Sequence, residues 1–245
     1  MENEKPTLER ITLKKIFGDI LDLFNIEKGL LYTVKVLTVQ PGQAIKTYLF
    51  EDRKKMVKPF RYLILTTAIM AFLTINYIGV ENSQFRKGIE MGFENRELEE
   101  QKQNPAKTAR FEQMIKTIEV AYAKYFNLFI MFSIPIYAMC FAWFLKKPKL
   151  NYAEHLILAS YLIAQQSVIS ILIKPVEKYN FELGTSLYTL IAIAYMFYLY
   201  QRFFGYKFIA GFFRVLAAYA IGTVIYTSVF GIGMAIYFFI TIGVG

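Results

Sequence analysis

A single cysteine, Cys140, and a single histidine, His155, stand in a chain of 245 residues. One thiol excludes an internal disulfide, and neither residue is numerous enough for a zinc cluster. Catalytic constellations are equally thin. There is no second histidine, no cysteine pair and no Gly-rich nucleophile elbow. Charge is also scarce: 19% of residues are charged, against 56% hydrophobic and 17% aromatic. No metal or cofactor is expected, and an enzyme is the less favoured class. The opening residues, MENEKPTLER, are polar and mixed in charge, so they do not read as a cleavable secretory signal.

What is present is long apolar runs. A soluble domain of this length would bury one core. Here the apolar residues gather in five nearly uncharged stretches, 62–80, 126–145, 156–173, 186–200 and 215–244, which read as membrane-spanning helices. The fourth is short but widens to 183–201 between charged residues. The expected fold class is therefore all-α: an integral membrane helical bundle of about five spans.

The net charge of +9 is unevenly placed. Five spans put residues 1–61, 146–155 and 201–214 on one side, with 18 Lys and Arg against nine acids. The other side, 81–125 and 174–184, balances ten against ten. Such a surplus marks the cytoplasmic side, so the N-terminus is expected inside and the C-terminus outside. A basic face beside anionic lipid needs no nucleic acid partner.

Residues 1–61 read as a cytoplasmic or interfacial segment, and 62–245 as the five-span domain with a large outer loop at 81–125. Within the first, 8–24 has the spacing of an amphipathic helix lying on the membrane, with Leu13, Ile16, Phe17, Ile20, Leu21 and Phe24 on one side. Pro41 suits the first turn of a short helix running to Phe50, and Pro59 suits the start of the first span. Between them Arg53, Lys54, Lys55, Lys58 and Arg61 form a basic cluster, a topology anchor or a lipid-headgroup site. After Pro105 a helical pattern leads into the second span, which should project beyond the bilayer, and Pro135 should kink it. The aromatic and basic stretch 195–214 reads as an interfacial belt. In the last span Gly231 and Gly233 are candidate breaks or bends. Ala217, Ala218 and Gly222 offer a surface for close helix contact, within the chain or in a homo-oligomer.

The histidine belongs to NYAEHLILASYLIAQQSVISILIK, residues 151–174. On a helix His155, Ala159, Leu162, Gln166, Ser170 and Lys174 share one face. Buried amides cost free energy unless bonded, so Gln165 and Gln166 should face the bundle. Two readings follow. In one, these groups hydrogen-bond neighbouring helices while Glu154 and His155 lie at a wet interface. In the other, Tyr152, Glu154, His155, Gln166 and Ser170 line a cavity open to the cytoplasm, with His155 and Glu154 accepting protons or binding a headgroup.

Two stretches carry a family resemblance. GLLYTVKVLTVQPGQAIKTYLFEDRKKMVKPFRYLIL, with Pro41, Gly42, Ile45, Tyr48, Arg53, Pro59 and Phe60, resembles the lead-in of a bacterial polytopic membrane family classed as a domain of unknown function. Glu51 stands where that family usually has glycine. Tyr152, Glu154 and His155 match the family's Tyr-x-Glu-His motif. Many members also carry an N-terminal Cys-x-x-Cys zinc ribbon, which this sequence does not. The resemblance implies that the three motif residues matter and that the protein sits in a bacterial inner membrane; it implies no activity. The expected function is binding of an anionic headgroup or small solute in an inward-facing cavity, in a transport or membrane-accessory role. The alternatives are a lipid-modifying enzyme using Glu154 and His155, or a non-catalytic scaffold.

Overall fold

The computed structural model describes residues 29–79, 105–146 and 150–242, and all of their regular structure is helical. The amphipathic stretch 8–24, the loop portion 81–104 and the lysines at 147 and 149 lie outside the described residues. In chain order the helices are α1 (Leu31–Val39), α2 (Pro41–Phe50), α3 (Pro59–Leu73, continued by a π turn Thr74–Ile78), α4 (Pro105–Phe144), α5 (Tyr152–Tyr179), α6 (Phe181–Phe204) and α7 (Phe208–Ile242).

Local chemistry explains the boundaries. Pro41, Pro59 and Pro105 each open a helix, where a missing N–H costs nothing. Asn151 caps α5 in a full capping box: its side chain accepts from the Glu154 N–H, and the Glu154 carboxylate accepts from the Asn151 N–H. Asn180 caps α6 by accepting from the Leu183 N–H. α6 ends at Gly205, whose φ of 66° suits glycine. Glu51, by contrast, has φ −124°, so its position makes no demand for glycine.

Two features lay open in the sequence. The run ending at 173 continues as helix through Pro175 to Tyr179. Helix α7 passes without interruption through Gly231 and Gly233.

Four helices are long and apolar enough to cross a membrane: Pro59–Ile78, Tyr152–Tyr179, Phe181–Phe204 and Phe208–Gly233. The apolar stretch Leu128–Phe144 is shorter and forms the end of α4, whose 40 residues span about 60 Å. The chain is thus a multi-pass, all-α membrane protein.

Helix α5 is the centre of the bundle, with 56% of its apolar window buried, against 22% for α7. α5 and α3 run in the same direction. The Tyr62 hydroxyl donates to Gln165 Oε1 near one end, and Lys178 Nζ donates to the Tyr77 carbonyl at the other. α6 returns antiparallel, with His155 stacked on Phe204 and Gly184 packed on the backbone of Glu177. α7 lies on α4, where Gly222 is needed because a Cβ would stand 2.7 Å from the Tyr137 ring. The small-residue face of α7 is thereby used within the chain. The fully buried side chains, led by Tyr62, Phe141, Tyr161, Tyr200 and Phe203, concentrate at the end where α5 begins and α6 ends.

Candidate functional site

Three polar groupings occur along α5. The first is a clamp on the α1–α2 hairpin. A helix ends with unpaired carbonyls, and buried ones need donors. Tyrosine hydroxyls supply them here: Tyr195 donates to the Leu37 carbonyl at 3.0 Å, and Tyr198 to that of Val39 at 2.9 Å. Gln165, 1% exposed, accepts from Tyr62 at 2.6 Å and donates to Thr38 Oγ1 at 2.8 Å. Tyr161 donates to the Val57 carbonyl and meets the Tyr48 ring edge-on, with 5.3 Å between centroids. Gly42 sits so close to α6 that a Cβ would lie 2.6 Å from the backbone of Arg202 and Phe203. Ile45 is fully buried beside it.

The second grouping is the start of α5. Glu154 is engaged in the capping box, and Tyr152, half exposed, donates to the Pro135 carbonyl at 3.1 Å. His155 is 2% exposed, with its ring on Phe204 and no hydrogen-bond partner at Nδ1. Around this end the cations collect. Arg53, Lys54, Lys55, Lys58 and Arg61 are all exposed; Arg53 donates to the Leu49 carbonyl, and Lys55 stands 3.9 Å from Asp52. Lys46 reaches the Arg202 carbonyl at 3.4 Å, and Arg214 that of Phe144 at 3.3 Å, with its guanidinium over the Tyr206 ring.

The third is a partly open cavity of about 300 Å³ bordered by α3 to α7. Its apolar lining comprises Met70, Ile130, Phe141, Ala159, Leu162 and Ile163. Its polar lining comprises Ser133, Tyr137, Gln166, Ser167, Tyr188, Tyr219 and Tyr226, and among the described residues no charged one lines it. Tyr137 shares a hydroxyl hydrogen bond with Thr223 at 3.1 Å and stacks on Tyr219 at 5.6 Å. Gln166 donates to the Ala192 carbonyl at 3.3 Å.

Of the five candidate residues on α5, Gln166 borders this cavity. Tyr152, Glu154 and His155 do not line it; His155 stands one turn before the lining residue Ala159, about 6 Å along the helix axis at 1.5 Å per residue. Ser170 is buried one turn beyond Gln166. The structure therefore divides the expected stripe between a cap, a packed histidine and a cavity wall. Sequence reasoning missed the four tyrosines. They come from three other helices, and no periodic pattern within one helix announces them. It also missed Glu177, which is buried and paired with Lys174 beyond Pro175. No cluster of metal-ligating residues occurs among the described residues.

No curated protein and no solved structure matches this chain. Residues 27–71, the clamped hairpin and most of α3, match the model of the family described as Protein of unknown function (DUF3667), so over that part the chain is similar to this family.

Proposed function

We propose that the chain crosses the membrane five times and holds a small solute in the tyrosine-lined cavity, in a transport or membrane-accessory role. The observation that carries the reading is the cavity itself: a partly open space of about 300 Å³ lined by hydroxyl and amide groups together with apolar groups. Such a space, with few convergent polar groups, is the usual form of a small-molecule site. Its uncharged wall favours a small solute over an anionic headgroup. Headgroups are instead the natural company of Arg53, Lys54, Lys55, Lys58 and Arg61, which this reading sets at the cytoplasmic surface of a bacterial inner membrane. The fifth crossing is the end of α4, where Leu128–Phe144 is extended by flanking aromatic residues.

The alternative of an enzyme using Glu154 and His155 gains less support, because both side chains are occupied by capping and packing. The test is native mass spectrometry of the purified protein beside a Ser167→Phe variant, whose ring fills the cavity. A small molecule retained by the wild type and lost in the variant is the expected result. Equal retention by both, or by neither, would overturn the reading.

A further inference from the structure

Helix α1 has an outward face that nothing among the described residues covers. Leu31, Tyr32, Lys35, Thr38 and Val39 are exposed, Leu31 by 70% and Val39 by 57%. At about 3.6 residues per turn these five share an arc of roughly 120°, and the buried Thr33 and Leu37 point the other way. The face carries one lysine and no acid.

The helix is also fixed in height. The Thr33 hydroxyl accepts from the Val57 N–H at 2.9 Å, two residues before Pro59 opens α3, and the Val57 carbonyl accepts from Tyr161. At the other end Tyr198 donates to the Val39 carbonyl. Tyr161 and Tyr198 each stand six residues from the facing pair His155 and Phe204. Helix α1 therefore crosses α5 and α6 at one level instead of running along them. That level is where α3, one of the four helices long and apolar enough to cross a membrane, begins.

Positive charge gathers at the same place. Residues 29–61 carry seven Lys and Arg against Glu51 and Asp52. Five of the seven, from Arg53 to Arg61, are exposed on the way into α3 and in its first turn. An apolar helical face at the mouth of a span, with cations beside it, has the form of a helix lying in the headgroup layer. The cations make acidic lipid the complementary occupant of that layer.

We propose that α1 lies in the headgroup layer with Leu31 and Val39 towards the acyl chains, and that α1 and the 53–61 cations together form a binding surface for acidic phospholipid. This deepens the headgroup reading of the cations given above and does not depend on the solute cavity.

The experiment uses the full chain, with Cys140→Ala, in nanodiscs of phosphatidylcholine and phosphatidylglycerol in equal parts. Nitroxides are attached at Leu31→Cys, at Val39→Cys and, for reference, at Lys54→Cys, and their collisions with oxygen and with a water-soluble nickel complex are compared. The labels at 31 and 39 are expected to favour oxygen over nickel more strongly than the label at 54. Native mass spectrometry of the unlabelled protein released from the same nanodiscs should show phosphatidylglycerol retained in preference to phosphatidylcholine. Lys54→Gln/Lys55→Gln/Lys58→Gln should reduce that preference at least about tenfold. Nickel reaching 31 and 39 as freely as 54 would overturn the placement of α1, and a surviving lipid preference would then leave the headgroup reading of the cations standing. Equal retention of the two lipids would overturn both. Labels at 31 and 39 shielded from both reagents, or broadened by a second copy of the chain, would mean that protein covers α1 and would also overturn the proposal.

Discussion

Gln165 and Gln166 are neighbours in sequence and do different work. They lie about 100° apart on the helix, so Gln165 faces α1 and α3 while Gln166 faces α6 and the cavity. That both must point inward follows from the cost of an amide in lipid, and the sequence made this legible. Their partners were not legible: Tyr62 and Thr38 are more than a hundred residues away in the chain. Tyr62→Phe removes the one hydroxyl that bonds Gln165 Oε1 and should destabilise the protein by about 1–3 kcal/mol, read from thermal or denaturant unfolding in detergent. Because the two groups act as a unit, Tyr62→Phe/Gln165→Met should cost less than the sum of the single changes. His155 teaches the converse. The sequence left a wet interface and a cavity lining both open for it and Glu154, whereas here the glutamate caps the helix and the imidazole packs on Phe204.

At the scale of the element, proline was a good guide at helix starts, while Pro175 inside α5 carried no reading. Pro41, Pro59 and Pro105 begin helices because the first turn has no use for their missing donor. Pro175 did not end α5. Neighbouring helices hold a proline-containing turn in a membrane bundle, and the helix runs on to Tyr179. Docking of the α1–α2 hairpin depends on close approach, which sequence spacing cannot reveal. Gly42→Ala would put a methyl 2.6 Å from the α6 backbone and should cost about 1–3 kcal/mol. Faster amide exchange confined to α1 and α2 is the signature to look for. Gly231→Ala is the matched control: its Cβ meets open space in a helix interior, so stability should hold or rise slightly. Loss of the Asn151 cap in Asn151→Ala should cost about 1 kcal/mol, measurable in the same unfolding assay.

At the scale of the whole molecule, composition and charge told the most. Long apolar runs fixed the class, and the exposed cluster Arg53, Lys54, Lys55, Lys58 and Arg61 lies at the end where α5 begins. The crossing of α4 is the element on which orientation turns. Five crossings place the two chain ends on opposite sides of the membrane, so reporters fused to each end should register in different compartments. Signals from the same side would mean that α4 does not traverse. The cavity was legible only through Gln166, since its other walls are assembled from five helices by packing that no single segment encodes.

The length of α4 has a mechanical consequence. A rod of about 60 Å is roughly twice the thickness of the hydrocarbon layer, so under the proposed five crossings its first half would stand clear of the lipid as a lever arm. Torque applied at its tip would then reach Pro135, where the backbone ladder lacks a rung and the neighbouring Ser133 and Tyr137 line the cavity. An antibody fragment gripping the exposed Gln113 and Lys116 would thus be a handle on the interior, able to alter solute residence time without touching the pocket.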